Sequence, residues 1–130
     1  MARNTRIFSD LDFNFTAHPV TKDITRKFDE QSVRAALKNL ILTKNFERPF
    51  HSEIGSPVRA LLFEPATPMM GIVLKQAIID VINNFEPRVN LIDVFTTVNE
   101  DSNDVSISII FKIVNTERPL TLDLTLERTR

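Results

Sequence analysis

The spacing of apolar residues changes at one corner of this chain, the stretch "NNFEPRVN" from Asn83 to Asn90. Before it, Leu74, Ile78, Val81, Ile82 and Phe85 recur at helical intervals; after it, apolar and polar residues alternate. A helix therefore has to end, and a strand has to begin, between Phe85 and Val89. Thr67 is expected to cap the helix and Pro68 to open it. Pro87 suffices to stop it, because proline lacks an N–H and disfavours helical geometry at the preceding Glu86. Ile72, Val73 and Ile79 widen the apolar surface beyond one stripe. Such a helix is buried on more than one side or meets a partner, and burial within its own fold is the preferred expectation.

Beyond the corner, 89–98 reads as a strand with Ile92, Val94 and Val98 on one face. "NEDSND" forms a polar hairpin tip. A second strand over 105–114 places Val105, Ile107, Ile109, Phe111 and Ile113 together. After the turn "NTERP", Leu120, Leu122, Leu124 and Leu126 alternate with Thr121, Asp123, Thr125 and Glu127. This last strand has one apolar and one wet face.

Upstream, Val33, Ala36, Leu37, Leu40 and Ile41 predict an amphipathic helix over 30–44, with Asp29 as its N-cap. "NFERPFHSEIGSP" is a loop, and Ser56 is placed to cap a short helix from Pro57 through Leu61, Leu62 and Phe63. "DITRKFDE" holds a short strand over 24–28. The first segment, with Phe8, Phe13, Phe15 and Pro19, reads as an extended arm that packs on its own domain or orders against a partner. Helices followed by strands imply an α+β fold. In it, the N-terminal arm and three helices pack on one face of a small antiparallel sheet with a C-terminal β-meander. Residues 1–22 form the arm and 23–130 a single α+β domain.

Composition narrows the function. Sixteen basic against 17 acidic residues give a net charge of −1, so no global basic field is available to hold nucleic acid. The absence of cysteine removes disulfides, thiolate metal sites and a cysteine nucleophile. His18 and His51 lack metal-ligand spacing, and no metal or cofactor is expected. Gly55 and Gly71 alone cannot build a phosphate cradle. No apolar run reaches the length of a membrane span, and no membrane association is expected. The start "MARNTRIFSDLD" lacks an apolar signal core, so the chain is expected to stay in the cytosol unless an assembly carries it elsewhere.

Three readings of "FEPR" stand side by side: a helix stop, a solvated charge pair, or a docking point. Arg88 suits the negative end of a helix and Glu86 does not. Glu86 is thus expected to have a specific partner, which is Arg88, Arg59, Arg48 or a residue of another chain. Glu53, Glu64 and Glu86 also offer carboxylates for glycoside cleavage, without a motif that brings two of them together. "NEDSND" lacks the glycine and the distant glutamate of a calcium loop and reads as a solvated tip.

Three blocks carry a resemblance: "FSDLD" near the start, "ERPFHSEIGSPVRALLFEP" over 47–65, and "NNFEPRVNLIDV" over 83–94. Together they resemble the small baseplate wedge, or sheath-initiator, family of T-even-type contractile-tailed phages, whose relatives occur in type VI secretion and other contractile injection systems. Arg48, Pro49, Gly55, Leu62 and Phe63 match the family's middle run, and Glu86, Pro87 and Arg88 match its Glu-Pro-Arg triplet. The resemblance implies a virion structural protein and no enzyme. It would lie in the tail baseplate, in the inner baseplate near the tail tube, and be assembled in the host cytoplasm. Its implied partners are other baseplate wedge proteins and the tail sheath protein.

The triplet is implied to dock onto wedge proteins, and Arg48 and Phe50 are expected to support that corner. The strand edge formed by Leu120, Thr121, Leu122, Asp123, Leu124, Thr125 and Leu126 is expected to accept a sheath strand by β-augmentation, the alternative being an ordinary sheet edge. Ala at Glu86 or Arg88 is expected to spare the fold and weaken wedge assembly. The rival functions are a peptidoglycan-cleaving, lysozyme-like enzyme using Glu53, Glu64 or Glu86, and the equivalent component of a type VI secretion or other injection system.

Overall fold

A computed structural model describes residues 8–114 and 116–128. The chain divides into two compact units, Met1–Ala36 and Leu37–Arg130.

In the first unit, β1 (Ser9–Leu11) pairs antiparallel with β2 (Arg26–Phe28), with Ser9 opposite Phe28 and Leu11 opposite Arg26. Ala17 and Ile24 form a further isolated bridge. The described part of the expected arm is therefore folded back on itself rather than simply extended. Its connection is tied by Asp12, whose carboxylate accepts the Asn14 N–H at 3.3 Å and pairs with Lys27 at 3.3 Å. These bonds, the backbone one first, hold the Asp12 carboxyl below the usual carboxylate range. Phe13 and Phe15 stay exposed.

Helix α1 (Asp29–Leu42) follows β2 without a loop. Asp29 is its first residue, with φ of 45°. The Asp29 N–H donates to the Phe8 carbonyl at 2.8 Å, and its carboxylate accepts the Phe8 N–H at 3.0 Å. The expected cap residue thus ties the helix start to the chain beside β1. Val33, Leu37 and Ile41 of the expected stripe are fully buried.

The second unit contains α2 (Val58–Leu61), α3 (Pro68–Phe85), β3 (Val89–Asn99), β4 (Asp104–Ile113) and β5 (Leu120–Glu127). The strands form an antiparallel sheet in the order β3-β4-β5. Thr67 caps α3 through its hydroxyl, which accepts the Met70 N–H at 3.2 Å, and Pro68 opens the helix, both as expected. At α2, Pro57 takes the cap position. Ser56, one residue earlier, accepts the Val58 N–H at 3.1 Å, and Phe63 lies beyond the helix and exposed.

The core is one face of this sheet covered by α3. Ile107 stands between Thr96 and Leu124, Ile109 between Val94 and Leu122, and Phe111 between Leu91 and Leu120. Met70, Leu74, Ile78, Val81 and Ile82 are the buried residues of α3. Fully burying each such side chain contributes about 1.5–3 kcal/mol. Two polar contacts fix the helix on β3: the Thr96 hydroxyl donates to the Gly71 carbonyl at 2.9 Å, and Lys75 pairs with Asp93 at 3.1 Å.

Two expectations fail here for physical reasons. The β3–β4 register shifts between Leu91 and Asp93, so Ile92 is a bulge residue and is 52% exposed rather than on the core face. The bulge changes parity, which lets Val89 share a face with Val94. On α3, Ile72 and Val73 are exposed together with Met69, so the helix is not buried on a second side.

The two glycines separate close approach from helix propensity. A Cβ at Gly55 would lie 2.6 Å from the Lys44 carbonyl oxygen and 2.9 Å from the Asn45 Cα, both backbone atoms. Gly55→Ala should therefore destabilise by about 1–3 kcal/mol. A Cβ at Gly71 would meet the Thr96 hydroxyl at 3.6 Å, an ordinary contact. Gly71→Ala should stabilise by about 0.5–1 kcal/mol, as expected inside a helix. Urea midpoints of the two variants moving in the same direction would contradict this assignment.

The Asp93 carboxyl is held below the usual range, first by the Val94 N–H and then by Lys75. Its contribution to stability is complete at neutral pH and is lost as acid protonates the folded carboxylate. Asp93→Asn should be less stable than the parent at neutral pH, with the gap closing below the usual carboxylate range. An Asn-induced loss that stays constant across an acid titration would sink the charge-based account.

Candidate docking surfaces

The helix-to-strand corner is built from an internal ion pair. Glu86 is the C-cap of α3, and its N–H donates to the Ile82 carbonyl at 3.0 Å. Its side chain is buried, with the residue only 6% exposed. Arg88 approaches it with two parallel bonds, Nε to Oε1 at 2.7 Å and Nη2 to Oε2 at 2.9 Å. Bidentate guanidinium–carboxylate geometry is the strongest form of this interaction. Of the partners expected for Glu86, the structure selects Arg88. The Arg88 carbonyl also accepts the Val114 N–H at 2.9 Å, so the corner is stitched to the far end of β4. Pro87 is exposed and Arg88 is half-buried, and these two form the corner's outward surface.

The Glu86 side chain is thus turned inward, which corrects the expectation that alanine there would spare the fold. Removing Arg88 leaves a buried acceptor unpaired, at a cost of about 1–3 kcal/mol.

The loop between α1 and α2 closes on itself. The Ser56 N–H donates to the Thr43 carbonyl at 2.8 Å, Lys44 and Ser56 form a parallel bridge, and the Phe46 N–H donates to the Ser52 carbonyl at 3.0 Å. Gly55 permits the close approach of the two loop ends. Within it, Phe46 and Phe50 both have φ of 66°, an uncommon conformation for a bulky residue. They are 83% and 101% exposed. Phe50 therefore packs under nothing, and the expectation that it supports the Glu86–Arg88 corner is corrected.

Arg48 is exposed on the same loop, and its field acts on Glu53. The Glu53 carboxyl is held below the usual range by its own backbone N–H, by His51 at 3.3 Å, and by Arg48. Phe46 was not singled out in the sequence. Two phenylalanines flanking "ERP" in a loop were the available signal, visible once the loop is known to turn both outward.

The third surface is the edge strand β5. Leu120, Leu122 and Leu124 are buried, Thr121, Asp123 and Thr125 are exposed, and the alternation is as expected. Among the described residues its strand neighbour is β4. Ser108 on β4 donates to the Asp123 carboxylate at 2.6 Å on the wet face. At the opposite edge, β3 carries the Ile92 bulge, and Lys75 lies 5.9 Å above the Phe95 ring. Among the described residues no group of acidic or histidine side chains could hold a metal, and no helix is long and apolar enough to cross a membrane.

Comparisons with known proteins agree with this architecture. A solved structure described as a tail lysozyme from Geobacter sulfurreducens is similar with a TM-score of 0.71 at 16% identity, covering 78% of this chain and 92% of that one. The baseplate of the anti-feeding prophage contains a chain with a TM-score of 0.65 at 18% identity, covering 95% of this chain and 87% of that one. Both likenesses concern the fold. In sequence, the baseplate wedge protein gp25 of Enterobacteria phage T4 is 27% identical over 115 residues, 88% of this chain and 86% of the relative. The family model for baseplate wedge protein gp25 matches residues 28–118, which include α1, the Phe46–Phe50 loop and the Glu86–Arg88 corner. On that match, the chain belongs to the baseplate wedge protein gp25 family.

Proposed function

We propose that this protein is a non-enzymatic wedge component of a contractile-tail baseplate. It docks onto neighbouring wedge proteins through the Phe46–Phe50 loop and the Pro87–Arg88 corner, and it starts sheath assembly by offering β5 to a sheath strand. The observation that carries the second part is an edge strand whose inner face is locked into the core while its outer edge has no strand neighbour among the described residues. An added strand gains backbone hydrogen bonds at such an edge. The bulge and bonded Asp93 make β3 a poorer template, which favours β5. Exposed aromatics in a self-closed loop support the first part, because a partner would cover them.

The carboxylates speak against the lysozyme-like alternative. A general acid in glycoside cleavage needs a raised pKa, whereas Glu53 is shifted down. Glu86 has both oxygens engaged by Arg88. Clearing of peptidoglycan by the purified protein, abolished by one Glu→Gln change, would replace the proposal with an enzyme.

Phe50→Ser separates docking from folding. With its ring fully exposed, the substitution should leave stability within about 0.5 kcal/mol while weakening binding to wedge complexes, measured by co-sedimentation. Unchanged binding in Phe50→Ser and Phe46→Ser would remove the loop from the interface.

Hydrogen exchange tests β5. Amides over 120–126 should gain protection when sheath subunits assemble on wedge complexes containing this protein. Sheath that assembles with β5 exchange unaltered would refute strand addition.

A further inference from the structure

Arg128, just past β5, gathers bonds from two parts of the second unit, the end of α2 and the β3–β4 hairpin tip. Its Nε donates to the Leu62 carbonyl at 3.1 Å and its Nη2 to the Glu64 carbonyl. These carbonyls lie at and beyond the C-terminal end of α2, where helix carbonyls lack intrahelical donors and a cation is favoured. Its backbone makes a reciprocal pair with Asn103 at the β3–β4 hairpin tip. The Arg128 N–H donates to the Asn103 carbonyl at 2.9 Å, and the Asn103 side-chain amide donates to the Arg128 carbonyl at 2.9 Å. Asn103 adopts φ of 55°, which asparagine tolerates better than most residues. One side chain therefore ties the end of the last strand to the α2 terminus, and one backbone ties it to the hairpin tip.

We propose that Arg128 is a latch that holds the C-terminal end of β5 in the chain's own sheet. It thereby fixes the register that β5 presents to an incoming strand and keeps β5 from being given up in exchange. The role of this latch in sheath assembly rests on the reading of β5 as the sheath-accepting edge; its existence does not. Among the described residues β4 is the strand neighbour of β5, and strand ends fray first. Two carbonyls gathered by one guanidinium, whose Nη1 also lies 3.5 Å from the Asn103 side-chain oxygen, oppose fraying at the end away from the Glu86–Arg88 corner. Lysine, a point charge without the planar fork, cannot reproduce the arrangement.

The test compares Arg128→Ala and Arg128→Lys with Ile78→Val, a destabilised control in the core face of α3, away from the docking loop and from Arg128. Hydrogen exchange is followed in the full chain at matched global stability. Amides over 124–127 should exchange about tenfold faster in Arg128→Ala, with β3 and the middle of β4 unaffected, and Arg128→Lys should lie nearer to Ala than to the parent. Sheath nucleation on wedge complexes should fall in Arg128→Ala more than in Ile78→Val. Unchanged exchange, or acceleration spread evenly over β3, β4 and β5, overturns the latch. Localised fraying without any drop in sheath nucleation overturns its role in register. Failure of the parent protein itself to support sheath formation instead removes the β5 reading, while the exchange pattern still decides the latch.

Discussion

The bidentate Glu86–Arg88 pair governs this fold because it sits where two incompatible periodicities meet. A helix whose apolar residues repeat every three or four positions has to hand over to a strand that alternates. The handover leaves α3's last turn, the proline and the first residue of β3 in one tight corner. A buried carboxylate there would be a liability if unpaired, and Arg88 satisfies both of its oxygens. The same arginine's backbone accepts from Val114, so the pair sets both the entry to β3 and its alignment with the end of β4. Strand register propagates from there, since a slip of one residue would turn Ile107, Ile109 and Phe111 toward water.

The Ile92 bulge shows how that register accommodates the helix above it. Without the extra residue, Val89 and Val94 would lie on opposite faces of β3. With it, Val89 and Val94 are both buried, and Thr96 reaches the Gly71 carbonyl. The cost is an exposed isoleucine and a locally broken ladder. A bulge also discourages further pairing at its edge. The two edges of the sheet are consequently different, and the difference arises from packing α3 rather than from any separate device.

Much of this was legible in the residues. The α+β order, the Thr67–Pro68 helix start, the stop before Pro87 and the alternating leucines of β5 all depend on local chemistry, and each agrees with the structure. What could not be read depended on tertiary geometry. The bulge is invisible because Ile92 fits the alternation as well as its neighbours do. The inward turn of Glu86 follows from the path of the chain after Pro87, which spacing does not specify. Asp29 has the right side chain for a cap, and its carboxylate accepts the Phe8 N–H from the chain beside β1. Phe50 looked like support for the corner because loop closure, not composition, decides which way an aromatic points. Arg128 reads in the sequence only as a residue at the rim of the last strand, because its acceptors, the Leu62 and Glu64 carbonyls and the Asn103 side chain, are far away in sequence.

β5 has two obligations that pull in different directions. As part of the core it contributes Leu120, Leu122 and Leu124 against the central strand, and these cannot be removed without opening a cavity. As the outer strand it must leave backbone groups available to a partner. Deleting the strand abolishes both at once, so a truncated chain that fails to nucleate sheath would report on folding as much as on recognition. Clean discrimination comes from changes that leave the leucines in place, either at the latch beyond the strand or in the exchange of its outward amides. The alternation makes this separation possible: side chains carry the core obligation, the backbone edge carries the other, and the two lie in perpendicular directions.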